Sequence, residues 1–153
     1  VIELTCIRVG NDAYKKLYGS VGLTTLQDDN VTISGSQVKF QFRGKKGIYH
    51  DINLKSRRLA SLLKKAQDIP GDELFQYFDE TGNHRPIGSG DVNGYLKEIT
   101  GDDFTAKDFR TWAGTVAAFR AFREIGPFAS ETEKKRSVAK AYDLVAERLG
   151  NTR

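Results

Sequence analysis

The sequence predicts an α+β domain, mainly α, with a small antiparallel β-sheet near its N-terminal third and a helical core after it. Three observations predict this. First, apolar side chains alternate with polar ones between residues 31 and 52: Val31 and Ile33, then Val38, Phe40 and Phe42, with Ile48, His50 and Ile52 continuing the same period. That two-residue period belongs to half-buried strands. Second, the period becomes helical from Ser56 onward and keeps recurring as far as Leu149. Third, Pro70-Gly71, Gly101, Gly126-Pro127 and Gly150 stand at the breaks between the helical runs. A chain of 153 residues, 39% of them hydrophobic, is long enough to bury a core and reads as one domain. Residues 1–55 form a mixed segment with the β-hairpin, and residues 56–153 form the helical core.

Val1–Arg8 carries β-branched residues that favour a strand, while Val1, Leu4 and Ile7 also fit one helical face. Gly10 and Asn11 break it, and Asn11 can cap a short helical turn over Ala13–Leu17. Residues 18–26 are punctuated by glycine and read as irregular. The strands follow, with a hairpin between Phe42 and Ile48. Its tip, Arg43-Gly44-Lys45-Lys46-Gly47, is short and cationic. By itself such a tip is a solvated turn kept soluble by its lysines.

The helix from Ser56 to Gln67 places Leu59, Leu62, Leu63 and Ala66 on one stripe. Residues 72–78 read as a second short helix, and residues 79–90 as turns. His84 lies among those turns with no partner set for a metal. Ser89 is expected to cap a helix over Asp91–Ile99, closed by Gly101. Thr105 caps the long helix that follows, with Asp108 three residues on. Trp112, Val116, Phe119 and Phe122 lie at helical spacing along it. Arg110 falls near its start, where unpaired N–H groups and the positive end of the dipole suit a phosphate. Taken alone, Arg110 is a solvated arginine on an amphipathic helix. Ser130 and Glu133 cap the last helix, whose expected buried face is Val138, Ala141, Tyr142, Val145 and Leu149, with Gly150 at its C-cap.

Composition narrows the function classes. Lysine and arginine number 24 against 20 acidic residues, for a net charge of +4 at pH 7. The excess tilts towards an anionic partner. The single cysteine, Cys6, rules out an internal disulfide and fits a reducing compartment. No apolar run reaches membrane-spanning length. Methionine is absent even at position 1, so the chain is expected to be part of something longer.

Several phrases occur in one order: Ile7-Arg8-Val9-Gly10-Asn11, Gly22-Leu23-Thr24-Thr25-Leu26, Phe42-Arg43-Gly44-Lys45, Ile87-Gly88-Ser89-Gly90-Asp91-Val92-Asn93, Phe104 to Thr115, and Leu149-Gly150-Asn151-Thr152-Arg153. With them the chain resembles, over essentially its whole length, the catalytic domain of type IB DNA topoisomerases, especially the compact bacterial and poxvirus-like members. The resemblance implies helix rather than strand for the first residues. It implies that Arg8 and Arg110 are the two catalytic arginines and that Lys45, in its Gly-Lys context, is the catalytic lysine. Asn151 stands where many members carry a histidine and some bacterial ones an asparagine. The implied nucleophile is a tyrosine one short segment beyond that position. None of Tyr14, Tyr18, Tyr49, Tyr77, Tyr95 or Tyr142 has the matching context, so the nucleophile and an amino-terminal DNA-clamp domain are expected outside this chain.

The implied reaction is a transfer of a DNA phosphodiester to tyrosine, relaxing supercoils by transient nicking of one strand. Two arginines can fork onto the nonbridging oxygens, a lysine can give the leaving 5′-oxygen its proton, and Asn151 can donate a hydrogen bond. Side chains supply all the cations, so no metal and no small-molecule cofactor is expected. The expected partner is duplex DNA, bound by a monomer mostly through its phosphates, away from membranes, in the cytoplasm and nucleoid if the source is bacterial. A tyrosine recombinase or integrase is the alternative enzyme. Such proteins carry His-x-x-Arg at the second arginine, and here Lys107 holds the histidine's place. A non-cleaving DNA-binding module is the remaining alternative.

Overall fold

The computed structural model describes residues 1–152. A short helix α1 (Ile2–Thr5) opens the chain, followed by α2 (Asp12–Tyr18), whose first turn is capped by Asn11 Oδ1 accepting from the Ala13 amide at 2.8 Å. Two 3-10 turns, Leu23–Thr25 and Asp28–Asn30, follow. The sheet consists of β1 (Val31–Ser34), β2 (Gln37–Arg43) and β3 (Tyr49–Lys55), antiparallel in that order. Its register pairs Val31 with Phe40 and Phe42 with His50. Val38, Phe40 and Phe42 are buried on one face, and α3 (Arg57–Gln67) packs across it with Ala60 and Leu63. Ile7, Leu23, Leu26 and Leu74 complete this core.

Residues 72–78 are not a helix. Gln76–Phe78 form β4, which pairs with β5 (His84–Pro86). The physical reason lies on both sides of the segment. Leu74 is fully buried and its amide donates to Leu26 O at 2.8 Å, which commits the backbone to an outside partner. Asp79 Oδ1 then accepts from the Thr81 and Asn83 amides and ties the hairpin turn.

Three helices complete the chain: α4 (Ser89–Thr100), α5 (Ala106–Ile125) and α6 (Glu131–Leu149). Ser89 does not cap α4. It is the first helical residue, Gly88 is the N-cap, and Asp91 Oδ2 accepts from the Gly88 amide at 2.7 Å. The caps of α5 and α6 are those expected: Asp108 Oδ2 accepts from Thr105 N and Oγ1, and Ser130 Oγ accepts from Glu133 N.

The apolar stripes are partly misplaced. Trp112 and Phe119 are 70% and 65% exposed, and Tyr142 is 63% exposed. Leu62 also faces out. Helix α5 instead packs through Ala106, Arg110 and Ala121, and Gly114 sits against Leu149 and Val145 of α6. Small residues let the two helix axes approach closely, and the aromatic stripe is left on the opposite side. No helix among the described residues is long and apolar enough to cross a membrane.

Candidate active site

Arg8 follows α1 on a segment clamped by the Gly22–Leu26 phrase. Leu23 N donates to Arg8 O and Thr24 N to Val9 O, both at 2.8 Å, and Thr24 Oγ1 adds a bond to Val9 O at 2.9 Å. Thr25, fully buried, receives the Gly22 amide on its hydroxyl at 3.0 Å. Gly10 and Gly22 cross so closely that a Cβ on Gly22 would lie 2.5 Å from Gly10 Cα. Val21 N donates to Arg43 O and joins this clamp to the end of β2.

Lys45 lies on a 3-10 turn, Lys45–Gly47, that links β2 to β3. Gly44 N donates to Ile48 O at 2.8 Å and closes the loop at its base. The Lys45 side chain is exposed. It lines a cleft of about 660 Å³ with Arg8, Tyr14, Tyr18 and Lys46.

Arg110 is only 8% exposed, so it is not the solvated arginine that its helix suggests in isolation. At the N-terminus of α5, Asn93 Oδ1 accepts from Ala106 N and Asp108 Oδ2 from Thr105 N. The guanidinium reaches across to the end of α6. Its Nη2 donates to Leu149 O at 2.9 Å and to Asn151 Oδ1 at 3.0 Å. Arg8 Nη2 donates to the same Asn151 oxygen at 2.7 Å. Arg8, Arg110 and Asn151, 143 residues apart at the extremes, therefore converge on one atom. They line a second cleft of about 290 Å³ with Lys107 and Thr111. Arg8 faces both clefts and connects Lys45 to Arg110 and Asn151.

The electrostatics of this cluster are unbalanced. Neither guanidinium forms a salt bridge with a carboxylate among the described residues. Burial lowers the pKa of Arg110, and the nearby charge of Arg8 lowers it further. Arg110 Nη1 is buried with no hydrogen-bond partner among the described residues. A buried donor left unpaired is costly. Two facing cations and a spare donor favour an anion with several oxygens.

His50 is the site residue that sequence reasoning misses. It stacks on Phe42 with ring centroids 4.8 Å apart and 13° between planes. Burial, then the charges of Arg110 and Arg8, hold its pKa below the usual 6.5. Strand periodicity reveals only that His50 shares a face with Ile48 and Ile52. The cross-strand pairing with Phe42 is what carries it into the site.

Known proteins resemble this chain in sequence. A family model described as "Eukaryotic DNA topoisomerase I, catalytic core" matches residues 1–153. The chain is 31% identical over 154 residues to a DNA topoisomerase 1B of Acanthamoeba polyphaga mimivirus, an alignment covering 95% of this chain and 46% of that protein. The chain thus spans about half the length of that curated relative. The match extends over every element that builds the arginine cluster, and the chain belongs to the catalytic-core family of the type IB DNA topoisomerases.

Proposed function

We propose that this chain is the phosphate-holding part of an enzyme that relaxes duplex DNA by nicking and resealing one strand. The observation that carries this reading is the convergence of Arg8 and Arg110 on the neutral oxygen of Asn151, with no carboxylate counter-charge among the described residues. Asn151 Oδ1 occupies a place that a phosphate oxygen can share or take over. Two N–H donors face its oxygen, so the carboxamide must present Nδ2 elsewhere, free to donate to a second phosphate oxygen.

In this mechanism a tyrosine carried outside these 153 residues attacks the phosphorus of a DNA phosphodiester. The P–O5′ bond breaks, a 3′-phosphotyrosyl bond forms, and the 5′-oxygen leaves as a hydroxyl. Arg8 and Arg110 stabilise charge gathering on the nonbridging oxygens. Lys45 supplies the proton to the 5′-oxygen, and the reverse sequence reseals the strand. Tyr14 and Tyr18, stacked 5.9 Å apart beside Lys46, give the larger cleft an aromatic wall next to cations, suited to the DNA flank.

The test uses a protein extended beyond Arg153. Mixed with nicked or supercoiled DNA and quenched in detergent, it should yield a covalent adduct on the 3′ side of the break. Arg110→Ala should slow adduct formation by about 100-fold or more, yet change duplex affinity by less than about 3-fold, because its contact strengthens in the transition state. Loss of affinity equal to the loss of rate would reduce Arg110 to a binding residue. Absence of any adduct from the unaltered protein would overturn the function itself.

A further inference from the structure

Gly44 and Gly150 immediately precede Lys45 and Asn151, and both press against the ring of His50. We propose that His50 is a positioning residue, a rigid spacer that fixes the separation between the Lys45 loop and the Asn151 end of α6 so that both meet one phosphodiester. The proposal rests on the function argued above and adds a residue to it.

The ring is held on three sides. One face lies flat on Phe42, which is itself 4% exposed and anchored in the core. One edge meets Gly44, where an added Cβ would lie 2.7 Å from His50 Nε2. Another edge meets Gly150, where an added Cβ would overlap His50 Cε1. Gly150 has a second reason to be glycine, since its φ of +59° ends α6 in the left-handed region. Gly44 has none. Its φ of −92° is outside the left-handed region, and its other close neighbour, Ile48 O, is at an ordinary 3.7 Å. The imidazole is what a side chain at position 44 would strike. An uncharged ring also fits chemically, because Arg8 and Arg110 both act on it and a third cation would be repelled.

A double-mutant cycle tests the spacer in a protein extended beyond Arg153, with single-turnover cleavage as readout and duplex affinity and melting as controls. Gly44→Ala should push the loop away and slow cleavage by about 10-fold or more. On a substrate whose leaving 5′-oxygen is sulfur, the same variant should lose less than about 3-fold, because a thiolate leaves without the proton of Lys45. In a His50→Ala background, adding Gly44→Ala should change the rate by less than about 2-fold, since the methyl enters the space the ring left. Should Gly44→Ala prevent folding, recovery of folding in the double variant supports the spacer and persistence of the defect overturns it. Additive effects of the two substitutions, or no benefit from sulfur, overturn it as well. An inactive unaltered protein overturns the function proposed above, whereas an active one with additive variants overturns the spacer alone.

Discussion

Asn151 accepts from Arg8 at 2.7 Å and from Arg110 at 3.0 Å, so a single neutral atom separates two cations. Asn151→Asp would place a carboxylate there at almost unchanged shape. The pair of charge-assisted bonds should raise stability by about 1 kcal/mol, since one partner is exposed. The same charge would repel a phosphate, so duplex affinity and cleavage should both fall while the melting temperature rises. A variant that melts higher and still cleaves normally would remove the phosphate from this position. His50 gives the pH prediction. Its folded-state pKa lies below 6.5 because of burial and the charges of Arg110 and Arg8. The unfolded chain therefore binds this proton first as pH falls. The contribution of the neutral ring is intact above about pH 6.5 and is lost as pH drops below it, levelling off once the folded ring also protonates. Melting measured between about pH 7.5 and 5 should fall more steeply in the unaltered protein than in His50→Gln. At this scale the meeting of the two arginines and Asn151 is legible through the ordered motifs. His50 and Asn93 were not, because their roles come from a cross-strand pair and an inter-helix cap that no local pattern encodes.

The element that orients Arg8 is the 3-10 turn at Leu23–Thr25 with its glycine crossing. A Cβ at Gly22 would meet Gly10 Cα at 2.5 Å, Gly10 N at 2.6 Å and Arg8 O at 2.8 Å. All three are backbone atoms, so relief requires the two segments to part. Gly22→Ala should destabilise the chain by about 2 kcal/mol or more and weaken cleavage beyond the loss of folded protein, because Arg8 moves with its carbonyl. Denaturant melts and single-turnover rates on the folded fraction check this, and normal melting would show that the crossing is looser than its geometry. The sheet, the long helices and most caps were readable from period and capping residues. The β4–β5 hairpin was not, because the Leu74 amide donates to a carbonyl 48 residues earlier, Leu26 O. The stripe on α5 faces solvent for a related reason. Trp112 and Phe119 have the spacing of a core face, but Arg110 and Gly114 lie about 200° round the helix from Trp112. Close approach of α6 selects that smaller face, as Gly114 against Leu149 records.

Taken whole, the molecule is stabilised unevenly. The main core cluster draws all its buried members from residues 7–74, among them Phe40, Leu26, Leu63 and Leu74 at 1% exposure or less. The buried hydrophobics of α4, α5 and α6 are Leu96, Ala106, Ala121 and Ala141, and three of these four are alanines. A buried methyl stabilises by roughly 0.8 kcal/mol, against about 1.5–3 for a larger apolar side chain. The helical half should therefore open locally at lower cost than the sheet half. The two halves meet where α1 packs on α5, and where Arg8 and Arg110 share Asn151. A phosphate bound by Arg8 from one half and by Arg110 and Asn151 from the other would fasten them together. Hydrogen exchange measures both claims. In the free chain, amides of β2, β3 and α3 should exchange about 100-fold more slowly than those of α6. Duplex DNA should slow exchange at residues 5–10 and at residues 147–152 together, since one ligand would hold both ends of the joint. Uniform protection in the free chain would contradict the unequal cores. Protection by DNA on one side alone would mean that the arginines do not share a phosphate.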